Sequence, residues 1–515
     1  MADFLNVFYV LLPVIAVYWL IKYLRTVRLQ GPPSPSFVFG HTKEIAGSPS
    51  PADLYDSWAE KYGRIYQVRG PMGTGRLVLC DPKAIAHVYA LDSWKYCHTP
   101  LARRQLSSLT GPNSLLTTVG ENHSRQRKIL TPMYGPSALK RYSSVMYDSA
   151  YKVFTAWESE LQASTTNEIM VDVSEWINHL SFDIIGLAAF SHDFKSLDGE
   201  HSTVSTALTA LGHSRPSPRV QKILLMSQAY PILLKLPLPR SAIIAELSNA
   251  MDEIVDGLTR SAKEGSAPQS ALGVLLNAKE LSPTQVRVHA KSTLFAGFAT
   301  TSSTTKWALI ELSMHPEKQD RLRAELSSFT TIDPSYEELT NGLPYLDAIV
   351  RETLRLHPVL SESTRVALED DVLPLSKQIR TVSGTLIDKV PIRKGTELTT
   401  SILYTNLSKT IWGEDATEFK PERWLNDLEG VPASAKEYPG YHHIMTFLEG
   451  PKQCLGMRFA VLELKIVLSV LIRKFLFIPK YGKDTKYEKA FFLGPHPKVA
   501  GEPGGQVPIC VKRVE

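Results

Sequence analysis

An uncharged, mostly apolar run from Phe4 to Ile21 opens the chain, broken only by Asn6 and Pro13, and Lys22, Arg25 and Arg28 follow it. Eighteen helical residues span about 27 Å, close to the roughly 30 Å hydrocarbon core of a bilayer. A cleaved secretory signal would carry its positive charge first, have a shorter apolar core and end at small residues. The pattern predicts one transmembrane helix within residues 1–30, with the charge behind it holding the rest of the chain in the cytosol. Gly31-Pro32-Pro33-Ser34-Pro35 cannot continue that helix, so residues 31–50 read as a stiff, Pro-rich hinge. Residues 51–515 then form one domain, with no further linker, internal repeat or low-complexity tract. Pro51–Tyr62 reads as a short helix, and Ile65–Arg69 and Leu77–Cys80 as strands. Helical periodicity dominates from about residue 120 to 358. Strand and loop are expected over 360–445, and a helix near 457–474.

The longest predicted helix begins at Ser282-Pro283-Thr284-Gln285, a capping box with proline at the first helical position. If it runs to residue 315, before Pro316, it is about 50 Å long and crosses the whole body. Its middle, Ala296-Gly297-Phe298-Ala299-Thr300-Thr301, is rich in small and hydroxylated residues, which stabilise a helix poorly. Gly297 removes bulk, so something flat could approach the backbone; a close helix–helix crossing explains the same residues equally well. The threonine hydroxyls can bond back to carbonyls four residues earlier.

Composition narrows the class. At 515 residues, 43% hydrophobic and 21% charged, the chain is too apolar for disorder and too mixed for a fibrous or coiled-coil protein. A formal charge of +5 over this length gives no argument for nucleic acid as a partner. Cys80, Cys97, Cys454 and Cys510 are too widely spaced for a disulfide framework or a paired-cysteine zinc site, and suit a reducing compartment.

Three short stretches carry candidate chemistry. Glu352 and Arg355 are three apart on one predicted helix face and can pair; alone, that is a common surface ion pair worth little. Phe419-Lys420-Pro421-Glu422-Arg423-Trp424 is uninformative by itself. Phe447-Leu448-Glu449-Gly450-Pro451-Lys452-Gln453-Cys454-Leu455-Gly456 places a lone cysteine in a Gly-framed loop before a helix. Backbone N–H groups and a helix N-terminus there are expected to depress the thiol pKa, although a lone cysteine is ordinarily an inert core residue.

Together, in this order, these motifs resemble the haem-thiolate monooxygenases, the cytochrome P450 family. The matched haem-loop pattern F-x-x-G-x-[RK]-x-C-x-G is Phe447, Gly450, Lys452, Cys454 and Gly456. The oxygen-helix pattern is Ala296 to Thr301, the E-x-x-R pair is Glu352 and Arg355, and the P-E-R-[FW] motif supplies Arg423. A fifth motif, His123-Ser124-Arg125-Gln126-Arg127, has the wording of fungal members. The resemblance covers the whole chain, anchor included.

The resemblance implies a mainly α fold with small β-sheets, the cytochrome P450 fold, preceded by one N-terminal transmembrane helix. It implies haem b (heme b, iron protoporphyrin IX) with Cys454 as the axial thiolate and iron ligand, shielded by Phe447, with Gly297, Gly450 and Gly456 close to the porphyrin. His123, Arg127, Arg365 and Lys452 would bind the propionates. Thr300 and Thr301 would be catalytic in oxygen activation, while Glu352, Arg355 and Arg423 form a structural network behind the haem loop. Two positions depart from the family pattern. Ala299 replaces the acid that ordinarily precedes the oxygen-helix threonine, and Lys452 replaces an arginine, keeping the charge but losing its bidentate fork.

The function so implied is oxidation of a small lipophilic substrate with O2 and electrons from NADPH. A separate NADPH-cytochrome P450 reductase, with cytochrome b5 as a second donor, would deliver them, since no GxGxxG fingerprint marks a fused reductase. The alternative is a haem protein without O2-dependent turnover, favoured only by Ala299. The resemblance places the protein in the endoplasmic reticulum membrane, single-pass, with a cytosolic catalytic domain. Leu109, Leu115, Leu116, Leu294, Phe295, Phe298, Val359, Leu360 and Phe491–Leu493 are expected to line an apolar pocket, with Phe298 steering the substrate and no basic residue obviously placed to hold a carboxylate. Fungal wording and greasy walls point to secondary metabolism, a terpenoid first and a polyketide second.

Overall fold

The computed structural model describes residues 29–514 apart from residues 49, 201–217, 229, 231–232, 234–238, 265–269, 330, 492–494 and 504. The predicted membrane segment, Phe4–Ile21, lies outside the described residues. Among the described residues no helix is long and apolar enough to cross a membrane.

Helices dominate, with small sheets beside them. α1 (Pro51–Tyr62) begins as its sequence demands: Ser50 caps the Asp53 N–H, and Pro51 takes the first turn. β1 (Ile65–Arg69) and β2 (Gly75–Leu79) form an antiparallel pair. Next come α2 (Pro82–Ala90), β3 (Tyr96–His98), α3 (Pro100–Thr110) and α4 (Gly120–Leu130). The body is built from α5 (Pro136–Ala163), β4 (Glu168–Asp172), α6 (Val173–Phe190), α7 (Pro239–Glu264), α8 (Pro283–Met314) and α9 (Pro344–Leu356). Beyond it lie β5 (Glu362–Ala367), β6 (Asp371–Arg380), β7 (Leu386–Ile392) and β8 (Glu397–Ser401). The stretch expected to be strand and loop also holds short helices at Ile402–Leu407, Lys409–Trp412 and Ala433–Lys436. α10 (Met457–Lys474), β9 (Phe475–Pro479), β10 (Tyr487–Phe491), β11 (Pro495–Val499) and β12 (Pro508–Arg513) finish the chain.

The largest sheet has the order β1-β2-β8-β5-β3, with β2 and β8 parallel and its other pairs antiparallel. In it, Arg365 of β5 stands opposite Leu398 of β8 on one side and His98 of β3 on the other.

α8 is the spine of the molecule. Its 32 residues span about 48 Å. The capping box closes at both ends, Ser282 accepting from the Gln285 N–H while Gln285 accepts from the Ser282 N–H. The helix stops at Met314 because Pro316 disfavours helical geometry in His315. Ala290, Leu294, Ala308, Leu309 and Leu312 are fully buried among its neighbours. In its middle, Thr300 donates to Ala296 O at 2.8 Å and Thr301 to Gly297 O at 2.9 Å, the expected back-bonding.

Behind the cysteine loop, Glu352 and Arg355 of α9 are fully buried and paired in bidentate fashion at 2.8 and 2.9 Å. Arg423 reaches the same carboxylate at 3.3 Å and Trp424 Nε1 donates to it at 2.9 Å. Arg355 also donates to the carbonyl of Asn406 at 2.9 Å, tying α9 to the chain that leads into the loop. Removing the carboxylate strands two buried cations, at a cost of roughly 3–5 kcal/mol.

Candidate functional site

The cysteine loop owes its shape to one glycine. Gly450 has φ +71°, and a Cβ there would lie 2.0 Å from Tyr89 O at the end of α2, so only glycine fits. Gly456 caps the N-terminus of α10, and its backbone N–H lowers the Cys454 thiol pKa. The Cys454 N–H donates to Phe447 O at 2.9 Å, closing the loop on itself. Phe447 is nearly buried, with its ring edge-on to Tyr441.

Cys454 opens into a cavity of 1440 Å³ that the middle of α8 bounds through Ala296, Gly297, Ala299, Thr300 and Thr301. It is the one cysteine of the four that lines this cavity. Although the sulfur is open to the hollow, protein surrounds the loop. Burial pushes the thiol up, while the Gly456 N–H and Arg127 pull it down. The expected depression of its pKa by the loop is thus corrected: desolvation wins, and holding the thiolate requires a stronger charge, such as a metal ion.

A cation-rich patch lines the same cavity. His123, Arg127, Arg365 and Lys452, drawn from α4, β5 and the loop, all face it, so the four predicted propionate ligands come together. Asp92, fully buried, meets Arg365 Nε at 2.8 Å. Arg365 Nη2 is buried without a partner among the described residues. Arg127 of α4 donates to Gln453 O of the loop at 2.8 Å, and Lys452 of the loop reaches back to Thr118 O, just before α4, at 2.7 Å, so the two bonds tie this part of the chain to the loop. Burial, then neighbouring cations, lowers His123 to about 4 and keeps it neutral. Burial likewise lowers Lys452, to about 8. These groups are short of negative charge, which is the deficit two propionates would fill; the donor set fits haem b.

Sequence reasoning missed His98, which β-register alone brings here. Arg365 Nη1 donates to its Nδ1 at 3.2 Å, so the imidazole stays neutral beside the guanidinium.

Gly297 lines the cavity but does not leave its own side open to a flat group. A Cβ there would lie 2.6 Å from Ile185 Cδ1 of α6, so the missing side chain serves the crossing of α8 over α6. Leu294 and Phe298, expected in the pocket, are absent from its lining. Leu294 is fully buried, and Phe298 packs edge-on to Phe182 of α6 with ring centres 5.4 Å apart. Leu109, Leu115, Leu116, Phe295, Val359 and Leu360 do line the cavity. The side chains of Phe491–Leu493 lie outside the described residues. The wall is also less apolar than expected: Arg76, Arg104, Gln105, Asn249 and His289 contribute to it. Glu362 and Glu397 are its carboxylates among the described residues. Glu362 is committed to Arg76 at 3.2 Å and to the Tyr55 hydroxyl, so it does not stand in for the acid missing at Ala299.

The family model described as Cytochrome P450 matches residues 30–500. Cytochrome P450 monooxygenase claP of the fungus Ampulloclitocybe clavipes is 44% identical over 512 residues, covering 96% of this chain and 95% of the relative. Cytochrome P450 monooxygenase claO of the same fungus is 44% identical over 510 residues, covering 95% and 94%. Cytochrome P450 monooxygenase 205 of Postia placenta is 33% identical over 512 residues, covering 94% and 92%. With a cavity-facing cysteine, a haem-matched cation patch and full-length likeness to fungal monooxygenases, this chain belongs to the cytochrome P450 family, enzymes that carry haem b on a cysteine thiolate.

Proposed function

We propose that the protein hydroxylates or otherwise oxidises a small lipophilic substrate of fungal secondary metabolism, a terpenoid before a polyketide. The carrying observation is that Cys454 and Thr300 line one 1440 Å³ cavity from different elements, between walls bearing Leu109, Leu115, Phe295 and Val359. That volume exceeds the roughly 300–1,000 Å³ of ordinary ligand pockets, so a prosthetic group and a second molecule fit together. Apolar walls of this kind select by shape, at roughly 1–3 kcal/mol per methylene.

Cys454 would ligate the iron, its sulfur tuned by the Gly456 N–H. His123, Arg127, Arg365 and Lys452 would hold the propionates. When bound, haem b activates O2: one oxygen atom enters the substrate and the other leaves as water, with two electrons from NADPH and two protons. Thr300 and Thr301 would pass those protons. The Thr300 hydroxyl is exposed to the cavity and rests on Ala296 O at 2.8 Å, from which it can turn to donate inward. With alanine at 299, the hydroxyls and water do this without a neighbouring carboxylate.

Electrons would come from NADPH-cytochrome P450 reductase, with cytochrome b5 as a second donor. Arg125 and Lys128 stand exposed on α4, whose Arg127 bonds the cysteine loop, a basic surface suited to an acidic partner. The Phe4–Ile21 run supports an endoplasmic reticulum anchor with a cytosolic body. Asn122, exposed in an Asn-His-Ser acceptor sequence, should then carry no glycan, and an endoglycosidase shift traced to it would overturn that topology. For the activity, microsomes containing the protein and a reductase would be fed terpenoids and polyketides. Products heavier by one oxygen support the proposal; turnover of hydrophilic, charged compounds alone would sink it.

A further inference from the structure

Asp92 follows α2 and is fully buried, yet it does not line the cavity. Its Oδ2 accepts from Arg365 Nε at 2.8 Å, and its Oδ1 from the Ser93 N–H at 2.9 Å. Ser93 in turn accepts, through its carbonyl and its hydroxyl oxygen, from the N–H of Gly120, where α4 begins. The carboxylate is therefore seated by the elements that bound the cation patch. From behind, it holds a guanidinium whose Nη1 donates to Ser363 Oγ at 2.8 Å and to His98 Nδ1 at 3.2 Å, and Arg365 itself lines the cavity.

The neighbouring charges do not cancel. Burial, then Arg365, Lys452 and Arg103, keeps His98 neutral, and burial, then Lys452 and Arg127, does the same for His123. Burial lowers Lys452, while among its neighbours Asp92 raises it and Arg365 lowers it, so all three feel one another's charge. Arg103 is exposed and screened by solvent. Glu362 and Glu397, the carboxylates on the cavity wall, act on Arg76. Among the described residues, Arg127, Arg365 and Lys452 thus face one carboxylate, which leaves a surplus of two positive charges. Two ionised propionates carry two negative ones. A buried ion pair adds little net stability, because desolvating both ions offsets their attraction. Its field, however, acts strongly across a low-dielectric interior.

We infer that Asp92 is the counter-charge of the propionate cradle: it holds Arg365 at the cavity and trims the patch to the two positive charges that two propionates neutralise, which sets the reduction potential of the bound haem. Asp92 acts through Arg365 and so is a positioning residue. The inference rests on the reading that Arg365 holds a propionate, and goes beyond it.

The test measures the midpoint potential of the ferric–ferrous couple in the holoenzyme, by dithionite titration with mediator dyes. Asp92→Asn keeps the size of the side chain and removes its charge, which favours the reduced form with its extra electron. At a fixed potential the reduced-to-oxidised ratio should rise about threefold, roughly 30 mV for one electron. A merely structural Asp92 gives the reverse, since an Arg365 that swings away takes positive charge from the haem. Asp92→Asn/Arg365→Gln removes one charge of each sign and should return the ratio to that of the wild type. An unchanged or lower ratio in Asp92→Asn overturns the inference. Should that variant not fold, the double variant, which strands no charge, decides. A wild-type ratio then supports the inference; a ratio about threefold lower overturns it, because the lost guanidinium had no carboxylate offsetting it. Haem loss to apomyoglobin tests the propionate reading separately. The double variant should lose haem about tenfold faster than wild type, having one guanidinium fewer for the propionates. Equal rates would overturn that reading, and the inference falls with it.

Discussion

Gly297 of α8 and Ile185 of α6 meet so closely that a methyl group on the glycine would overlap the isoleucine side chain, at 2.6 Å from Cδ1 and 2.8 Å from Cγ1. Gly297→Ala should therefore overpack the crossing and destabilise the protein by about 1–3 kcal/mol. Ile185→Ala alone should destabilise by cavity formation, yet the double variant should be more stable than the two losses summed. Urea unfolding of the four proteins measures this coupling. Additive losses would mean that Gly297 serves something other than the crossing.

Cys454 lines the cavity, whereas Cys80 and Cys97 are buried elsewhere and Cys510 sits on β12. The reduced, CO-bound protein should show the red-shifted Soret band of a thiolate-ligated haem, and Cys454→Ser should abolish it. Serine at 80, 97 or 510 should leave the band in place. Loss of the band in one of those three, with Cys454→Ser unaffected, refutes the ligand assignment.

Thr300→Ala removes the hydroxyl that faces the cavity and should raise peroxide released per NADPH consumed several-fold, with less substrate oxidised. Thr301 is 3% exposed and also bonds back along the helix, so Thr301→Ala should uncouple less. Equal coupling in wild type and Thr300→Ala would move proton delivery to another group.

Glu463 of α10 is buried, and desolvation pushes its carboxyl up to about 8, with the Ser181 hydroxyl bond at 2.7 Å pulling down. A carboxyl raised on folding means that the native state binds more protons than the unfolded one between about pH 4.5 and 8. Its stability contribution is complete at the acid end of that window and is lost as the pH rises through it. Glu463→Gln should flatten this dependence, so its stability relative to wild type improves on going from pH 5 to pH 8, by an amount on the order of a few kcal/mol. Denaturant unfolding at both values checks the sign; a relative gain at pH 5 would reverse it.

Local chemistry made much of this molecule legible in advance. Ser282, Pro283 and Gln285 announce the start of α8, and Pro316 announces its stop, because caps and prolines act within one turn. Gly450 of the cysteine loop was legible as a special position, but the Tyr89 carbonyl that makes it obligatory comes from a distant element. What the residues alone did not supply was direction. Phe298 lies about 200° around the helix from Thr300, so it cannot share the cavity face, and the period of 3.6 already contained that answer. The same arithmetic puts His289 on the cavity face. By contrast, His98 joins Arg365 only through the pairing of β3 with β5, a contact between positions 267 residues apart that no local signal encodes. The burial that sets the Cys454 thiol likewise belongs to the assembled protein, not to its loop.

The contact of Gly450 with the Tyr89 carbonyl has a consequence for the order in which the protein matures. The Tyr89 ring also carries the Arg365 guanidinium, 5.7 Å above its centre, so one residue of α2 touches both the cation patch and the cysteine loop. During synthesis α2, β3 and α4 emerge early, and the loop that closes against them is among the last segments to leave the ribosome. His98, His123 and Arg127 must therefore wait for residues 447–456 through most of translation. The cavity is therefore complete only once residues 447–456 have been made and have closed against α2.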